Sequence, residues 1–287
     1  MNFDWKGYIA NYLDLRNNGI VTEKKAIFHW NNFGKTEGRI FTPLTTFEME
    51  YQIKGYSDLL KETNNVTPSG IPKIIFKTSP FKIESMNIEI IRTLSNLKRL
   101  NPDYSIYYFD DHDIERSLKD LGYLEIYLKL IPGAFRADFW RYIILEKYGG
   151  CYSDIGHDFL VPFDTIIENE SLILTTEFYQ GIHNGLMCCK QGCKFMSEAK
   201  NRCIININNH DYGTIDTDIT GPVMLSKIKI NERVKWLTHQ IGIIPELYCI
   251  TFKNKVLINT KFSNYNLIMY LSKDNYHRLW SLKKVFS

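Results

Sequence analysis

The chain has 287 residues, 44% hydrophobic and 23% charged, a balance suited to a folded globular protein with room for one large domain and a small appendage. Its 35 basic and 32 acidic residues leave a formal charge of +3 and form no lysine or arginine block, which argues against nucleic acid or a membrane surface as partner. The start, MNFDWKGYIANYLDL, lacks the basic and apolar regions of a signal peptide, and no stretch stays apolar long enough to span a bilayer, so the expectation is a soluble protein of the cytoplasm.

Residues 1–42 read as a small helical module. WKGYIANYLDLRNN and TEKKAIFHWNNFG place apolar residues at helical spacing. Thr22 is the expected N-cap of the second helix, and Gly19 and Gly34 are expected to mark ends. Residues 43–70 are expected to hold a helix (45–62) and the polar connector NNVTPSG, leading to a main domain over 71–287.

After the connector the texture changes. IPKIIFKT is a short buried strand, IEIIRTLSNLKRLNP an amphipathic helix ended by Asn-Pro, and YSIYYFD a second strand before a helix capped by Asp110 or Asp111. That alternation predicts an α/β fold with a largely parallel central sheet, whose ligands gather at the carboxyl ends of strands. Residues 134–148, AFRADFWRYIILEKY, predict a helix stopped by Gly149 and Gly150, with Asp138 and Arg141 on one face. CYSDIGHDFLVPF is then expected to run as one strand to Pro162. SLILTTEF, GLMCC and apolar runs after residue 240 give further strands, and KFMSEAKNRCII a helix. The six cysteines contain no CxxC pair, and adjacent Cys188 and Cys189 would point to opposite faces of a strand. Reduced core thiols are expected.

The block FRADFWRYIILEKYGGCYSDIGHDFLVPFD sets charges in an otherwise apolar run. Chemistry that needs such a cluster is departure of a diphosphate, helped by a divalent cation on carboxylate oxygens. Two Asp at i and i+2 of a strand lie on one face, about 6.6 Å apart. Here Asp154 has Gly156 in the second place. Asp158, the next acid on that face, would be about 13 Å away on a straight strand. Only a kink at Gly156 would let the pair chelate. An unpaired buried carboxylate is costly, so Asp154 is the residue with least structural excuse, whereas His157, on the opposite face, is expected to be structural.

IPKIIFKT, NPDYSIYYFDD, FRADFWRYIILEKYGGCYSDIGHD, TGPVML and the terminal YHRLW resemble, in order, the landmarks of glycosyltransferase family 32, the DXD sugar transferases related to yeast outer-chain mannosyltransferases and capsular polysaccharide enzymes. The resemblance covers residues 71–281. It implies a GT-A, Rossmann-like nucleotide-sugar fold, retention of anomeric configuration, and a donor that is a UDP-sugar first and GDP-mannose second. It also implies a divalent metal, manganese ahead of magnesium, and a glycan or protein acceptor. Residue by residue, it implies Phe76, Lys77 and Thr78 at the nucleotide, and Asp138 and Arg141 at the donor sugar and phosphate. Asp154 would be the first Asp of the metal motif, joined by Asp158 and His277 as ligands, with Trp280 nearby. Asp218, Thr220, Gly221 and Pro222 would line the acceptor side, with Asp216 close by. Asp138, Arg141 and Asp154 would be the catalytic residues. Two other readings stand beside this one. The first is a sugar-nucleotide-binding or scaffold protein that lost catalysis with Gly156, and the second is a nucleotide-sugar hydrolase.

Overall fold

The computed structural model describes residues 3–12, 15, 18–37, 39, 41, 53–60, 65–83, 86, 88–178, 181–241, 248–260 and 275–287. Helix α1 (Trp5–Asn11) is capped by Asp4, whose carboxylate accepts from Gly7 N at 3.0 Å. Helix α2 (Glu23–His29) starts after Thr22 and runs on into a π turn, Trp30–Gly34. Tyr8, Ile9, Leu15 and Ala26 form a small core of their own, with Trp30 and Phe41 packed on it. Gly34 is the last residue of the π turn and so ends this helical run, as expected. A Cβ there would fall 2.2 Å from the Tyr8 hydroxyl, so the glycine is needed for close packing. Most of the expected helix over 45–62 lies outside the described residues. Between 53 and 60 the chain forms strand β1 (Ile53–Lys54) and one helical turn, α3 (Tyr56–Leu59).

The α/β alternation then follows the sequence pattern. Strand β2 (Ile74–Thr78), helix α4 (Ile88–Leu100) and strand β3 (Ser105–Phe109) lead to α5 (Asp111–Leu121). Asp110 caps α5, its Oδ1 accepting from Asp113 N at 2.9 Å. A short α6 (Leu124–Leu128) precedes α7 (Gly133–Tyr148), which is buried all round by Phe139, Trp140, Tyr142, Ile143, Ile144 and Leu145. Beyond it come β4 (Gly150–Ser153), β5 (Asp158–Phe159), α8 (Phe163–Ile167), β6 (Leu172–Thr176), β7 (Ile182–Cys189) and α9 (Lys194–Asn208). A 3-10 turn (Asp216–Asp218), α10 (Pro222–Ser226), β8 (Lys235–Ile241), β9 (Tyr248–Phe252), β10 (Lys255–Asn259) and α11 (Tyr276–Ser281) complete the described elements.

The strands form one mixed sheet in the order β1-β3-β2-β4-β7-β6-β8-β9-β10-β5. Pairing is parallel from β1 to β4 and between β6 and β8, and antiparallel elsewhere. The first half is therefore the parallel α/β unit of the sequence pattern. The second half is a set of hairpins added to it. Its two faces are separately filled, and Cys188 and Cys189 point into different core clusters, as successive strand residues must. All six cysteines are buried and unbridged. Among the described residues no helix is long and apolar enough to cross a membrane.

The stretch after Gly150 is not one strand. Strand β4 ends at Ser153, and a turn follows in which His157 N donates to Asp154 O at 3.1 Å. Strand β5 then pairs with β10 at the far edge of the sheet. In a flat sheet, the six interstrand steps from β4 to β5 would span about 29 Å. The five residues from Ser153 to Asp158 reach at most about 18 Å. The second half of the sheet must therefore curl until its last strand returns beside β4, with the 154–157 turn joining the two.

The α7–β4 corner rests on two glycines in backbone conformations that other residues avoid. Gly149 has φ 67° and ψ −159°, and Gly150 has φ 92°. A Cβ on Gly149 would fall 2.5 Å from Gln191 N, and one on Gly150 2.8 Å from Ile74 O. Gly149→Ala is expected to lower stability by about 2 kcal/mol or more, seen as a lower urea midpoint. An unchanged midpoint would mean that the corner does not depend on this residue.

Candidate active site

The charged block folds into one buried polar network at the carboxyl end of β4. Asp138 and Arg141, one turn apart on α7, are 9% and 5% exposed, so both need partners. Asp138 Oδ1 accepts from Asn184 Nδ2 at 2.8 Å, and Oδ2 from Thr220 Oγ1 at 2.9 Å. Asn184 Nδ2 also donates to the Tyr142 hydroxyl at 3.0 Å, which in turn donates to Thr220 O at 2.7 Å. Burial pushes Asp138 up to about 6, against the opposing pull of Arg141 and its hydrogen-bond donors.

Arg141 is satisfied from several sides. It donates from Nη1 to Asn184 O at 2.7 Å and from Nε to Ala137 O at 3.3 Å. Its Nη2 lies 3.3 Å from Asp138 Oδ1, and its Nη1 lies 3.5 Å from Asp154 Oδ1. The guanidinium carbon is 4.1 Å from the centre of the Tyr152 ring. The Tyr152 hydroxyl donates to Asp154 Oδ1 at 2.8 Å. Asp154 is the network's opening, with a side chain that is 43% exposed. Burial of its surroundings works against its charge, but Arg141, the nearby His157 and His183, and the Tyr152 donor outweigh it and hold Asp154 at about 2. The carboxylate is thus ionised and within reach of a ligand.

The backbone around Asp154 is fixed as tightly. Its N–H donates to Gly185 O at 2.8 Å, extending the β4–β7 ladder. Its carbonyl accepts from Lys77 Nζ at 2.8 Å, and the same ammonium donates to Ser153 Oγ at 3.0 Å. Burial pulls Lys77 down to about 7, against the opposing charges of Asp154 and Asp158. Beyond the turn lies a row of imidazoles. His157 Nδ1 is 3.0 Å from Ser153 Oγ. The His157 and His183 rings are 6.0 Å apart, and those of His183 and His239 are 4.2 Å apart. Glu177 bridges the last two, lying 2.7 Å from His183 Nδ1 and 2.7 Å from His239 Nδ1.

Asp138, Arg141, Asp154 and Thr220 are brought together in this network, and Lys77 braces it from beneath. Several other expected site residues are not part of it. Phe76 is fully buried against Phe109 and Trp140, as befits a central strand covered on both faces, and has no surface open to a base. Thr78 turns its hydroxyl to Phe109 O at 2.8 Å. Asp158 does not converge with Asp154, because its oxygens accept from Arg92 Nη2 at 2.9 Å and Asn96 Nδ2 at 3.1 Å on α4. His277 pairs with Asp216 on the 3-10 turn, and Trp280 donates to Tyr212 O at 2.7 Å. Gly221 is the N-cap of α10 and Pro222 its first residue. Asp218 is buried and fully engaged by Thr214 and Lys227.

Sequence reasoning missed Asn184, Tyr142, Tyr152, Glu177, His183 and His239. One signal was available, because His183, Asn184 and Gly185 are three successive residues without large apolar side chains near the start of an otherwise apolar strand.

Residues 89–173 match a family described as the glycosyltransferase sugar-binding region containing a DXD motif. That segment holds Asp138, Arg141, Asp154 and Gly156. Over that segment the chain is similar to the family 32 glycosyltransferases. Inositol phosphoceramide mannosyltransferase 3 of Schizosaccharomyces pombe is 28% identical to it over 223 residues, 72% of this chain and 60% of that protein. The initiation-specific alpha-1,6-mannosyltransferase of Candida albicans is 33% identical over 91 residues, 30% of this chain and 24% of that protein. The chain thus spans 60% of the first of these proteins and 24% of the second. Among solved structures, the PaToxG glycosyltransferase aligns with a TM-score of 0.39 and 13% identity, over 55% of this chain and 67% of its own.

Asp218 offers a test of the loop that carries Thr220. Burial opposes its charge, but the Lys227 and Thr214 donors hold it at about 2, below the ordinary 3.8. A depressed carboxylate contributes stability above its ordinary value and loses that contribution as pH falls through the folded one. Asp218→Asn is therefore expected to cost about 2 kcal/mol at pH 6, with the gap to the parent narrowing as the pH falls from 4 towards 2. Urea unfolding at pH 6 and pH 3 checks this, and an equal loss at both would rule out the carboxylate charge as the cause.

Proposed function

We propose that the protein is a metal-dependent glycosyltransferase of the GT-A type, moving a hexosyl group from a nucleoside-diphosphate sugar to a hydroxyl of a glycan or protein with retention of configuration. The observation that carries this reading is the half-exposed, ionised Asp154 set against the buried Asp138–Arg141 pair, inside the segment that matches the sugar-binding region. The division into a module over 1–42, a connector over 43–70 and a transferase domain over 71–287 is part of the same proposal.

The donor atoms beside the site fit a divalent cation. Asp154 supplies a hard oxygen, and its Oδ2 lines a small space that a Cβ on Gly185 would fill. Bound there, the ion would neutralise charge on the departing diphosphate.

The remaining roles fall to this chain's own residues. Arg141 keeps a fixed positive charge at the phosphate side, since its acceptors hold the guanidinium in place before any ligand arrives. Asp138 orients sugar hydroxyls. Its Oδ1 already faces Asn184 and Arg141, whereas Oδ2 accepts from Thr220 and has lone-pair capacity for one more donor. Thr220 links Asp138 to the loop proposed to face the acceptor. In front-face attack the bond from the anomeric carbon to the diphosphate oxygen breaks as one to the acceptor oxygen forms. The acceptor's proton passes to the departing phosphate oxygen, so no separate protein base is required.

Both named relatives are mannosyltransferases, so GDP-mannose belongs in the donor panel beside the UDP-hexoses. With Mn²⁺ and a mixed glycan and protein acceptor pool, one donor is expected to release its nucleotide with mass transfer to an acceptor. Arg141→Lys and Asp154→Asn are each expected to cut turnover about 100-fold or more. Free sugar with no acceptor product would identify a hydrolase, and donor binding without turnover a lapsed enzyme.

A further inference from the structure

Gly156 removes one oxygen ligand from the motif, and the structure places a different atom beside the gap. His183 Nδ1 faces Glu177 Oε2 at 2.7 Å, while its Nε2 is buried with no hydrogen-bond partner. A Cβ on Gly185 would lie 2.5 Å from Asp154 Oδ2 and 2.6 Å from His183 Nε2. The two atoms therefore flank one small space, kept open because residue 185 has no side chain. With its proton on Nδ1, the imidazole presents a lone pair at Nε2. A lone pair and a carboxylate oxygen that face the same gap repel each other unless a cation lies between them.

We propose that His183 takes the place of the motif's second acid, so that His183 Nε2 and Asp154 Oδ2 together ligate the divalent cation that receives the diphosphate. This inference rests on the transferase reading above and adds a ligand to it. The surrounding contacts match what a metal-binding imidazole needs. Glu177 fixes the tautomer and raises the basicity of Nε2, the arrangement of a carboxylate–histidine–metal triad. Glu177 is steadied by His239 Nδ1, and His239 Nε2 lies 3.3 Å from Thr260 Oγ1. The stacked rings of His183 and His239 leave the ligand little freedom to rotate. Ligand atoms of Glu177, His183 and His239 also lie within 4.8 Å of one another. Both Nδ1 atoms, however, stand at hydrogen-bond distance from Glu177. That occupies them with protons and leaves His183 Nε2 for the ion.

The exchange of an oxygen for an imidazole nitrogen alters metal choice. All-oxygen sites suit Mg²⁺ and Ca²⁺, whereas imidazole ligands favour later transition ions along the Irving–Williams order. This site is therefore expected to favour Co²⁺ most and Mn²⁺ less, both over Mg²⁺.

The test is a Mn²⁺ titration of the full chain with UDP or GDP present, following unbound Mn²⁺ by electron paramagnetic resonance. Asp154→Asn and His183→Gln are each expected to weaken Mn²⁺ binding at least tenfold. Glu177→Gln is expected to weaken it 10–100-fold, and His239→Gln less than His183→Gln. His183→Asp, which restores an oxygen ligand, is expected to raise Mg²⁺ affinity relative to Mn²⁺, a gain that misfolding cannot produce. Loss of binding in Asp154→Asn but not in His183→Gln overturns this inference and leaves the transferase reading intact. Loss in Glu177→Gln and His239→Gln but not in Asp154→Asn also overturns it, by placing the ion in the Glu177–His183–His239 triad. No Mn²⁺ binding by the parent chain with either nucleotide overturns both readings.

Discussion

A guanidinium cannot leave water unless acceptors replace it, and meeting that demand for Arg141 organises the centre of this fold. The acceptors come from three elements. Ala137 and Asp138 lie on its own helix, Asn184 contributes its carbonyl from β7, and Asp154 follows β4. Because β4 leaves α7 through only two glycines, helix and strand are held at one angle, and the Tyr152 ring comes to rest under the guanidinium. Asn184 then serves both charges at once, accepting from Arg141 through its carbonyl and donating to Asp138 through its amide. Removing any one of these contacts would leave a buried charge short of a partner, so the constellation stands or falls together.

The second half of the sheet is built around a different need, the orderly burial of polar side chains. Glu177, after β6, accepts from imidazoles on β7 and β8. Although burial opposes its charge, those two donors hold Glu177 well below the usual carboxylate range. His157 has the opposite outcome. Burial, aided by Lys77 and the neighbouring histidines, pushes it well below its ordinary value, so it is neutral and serves as a spacer beside Ser153. A rigid cationic side and a rigid imidazole side thus meet at Asp154.

The parallel half of the fold was legible in the sequence because its signals are local. Alternating strands and helices, the Asp110 cap and the Gly149–Gly150 stop each declare themselves within a few residues. Asp154 was legible as a carboxylate with little structural excuse on an apolar strand. Asp138 and Arg141, one turn apart on a helix, read by themselves as an ion pair and stood out only through the family resemblance. The 154–157 turn was not legible, because periodicity assumes that a strand continues. What ends this one is β10, a partner far along the chain that draws Asp158 and Phe159 to the other edge. Phe76 was named through the family resemblance, and its burial was not legible because it depends on α7 packing over the strand. Glu177, His183 and His239 are single polar residues on short strands, and only the pairing of β6 with β7 and β8 brings them together.

The return of β5 to the neighbourhood of β4 constrains the length of the chain between them. The short link through residues 154–157 acts as a clasp on a curled sheet, so lengthening or shortening it would force the sheet to reopen. Loops elsewhere can drift in length with little effect, yet this one cannot. Exchanging one residue for another within the link keeps its length, and with it the closure of the sheet.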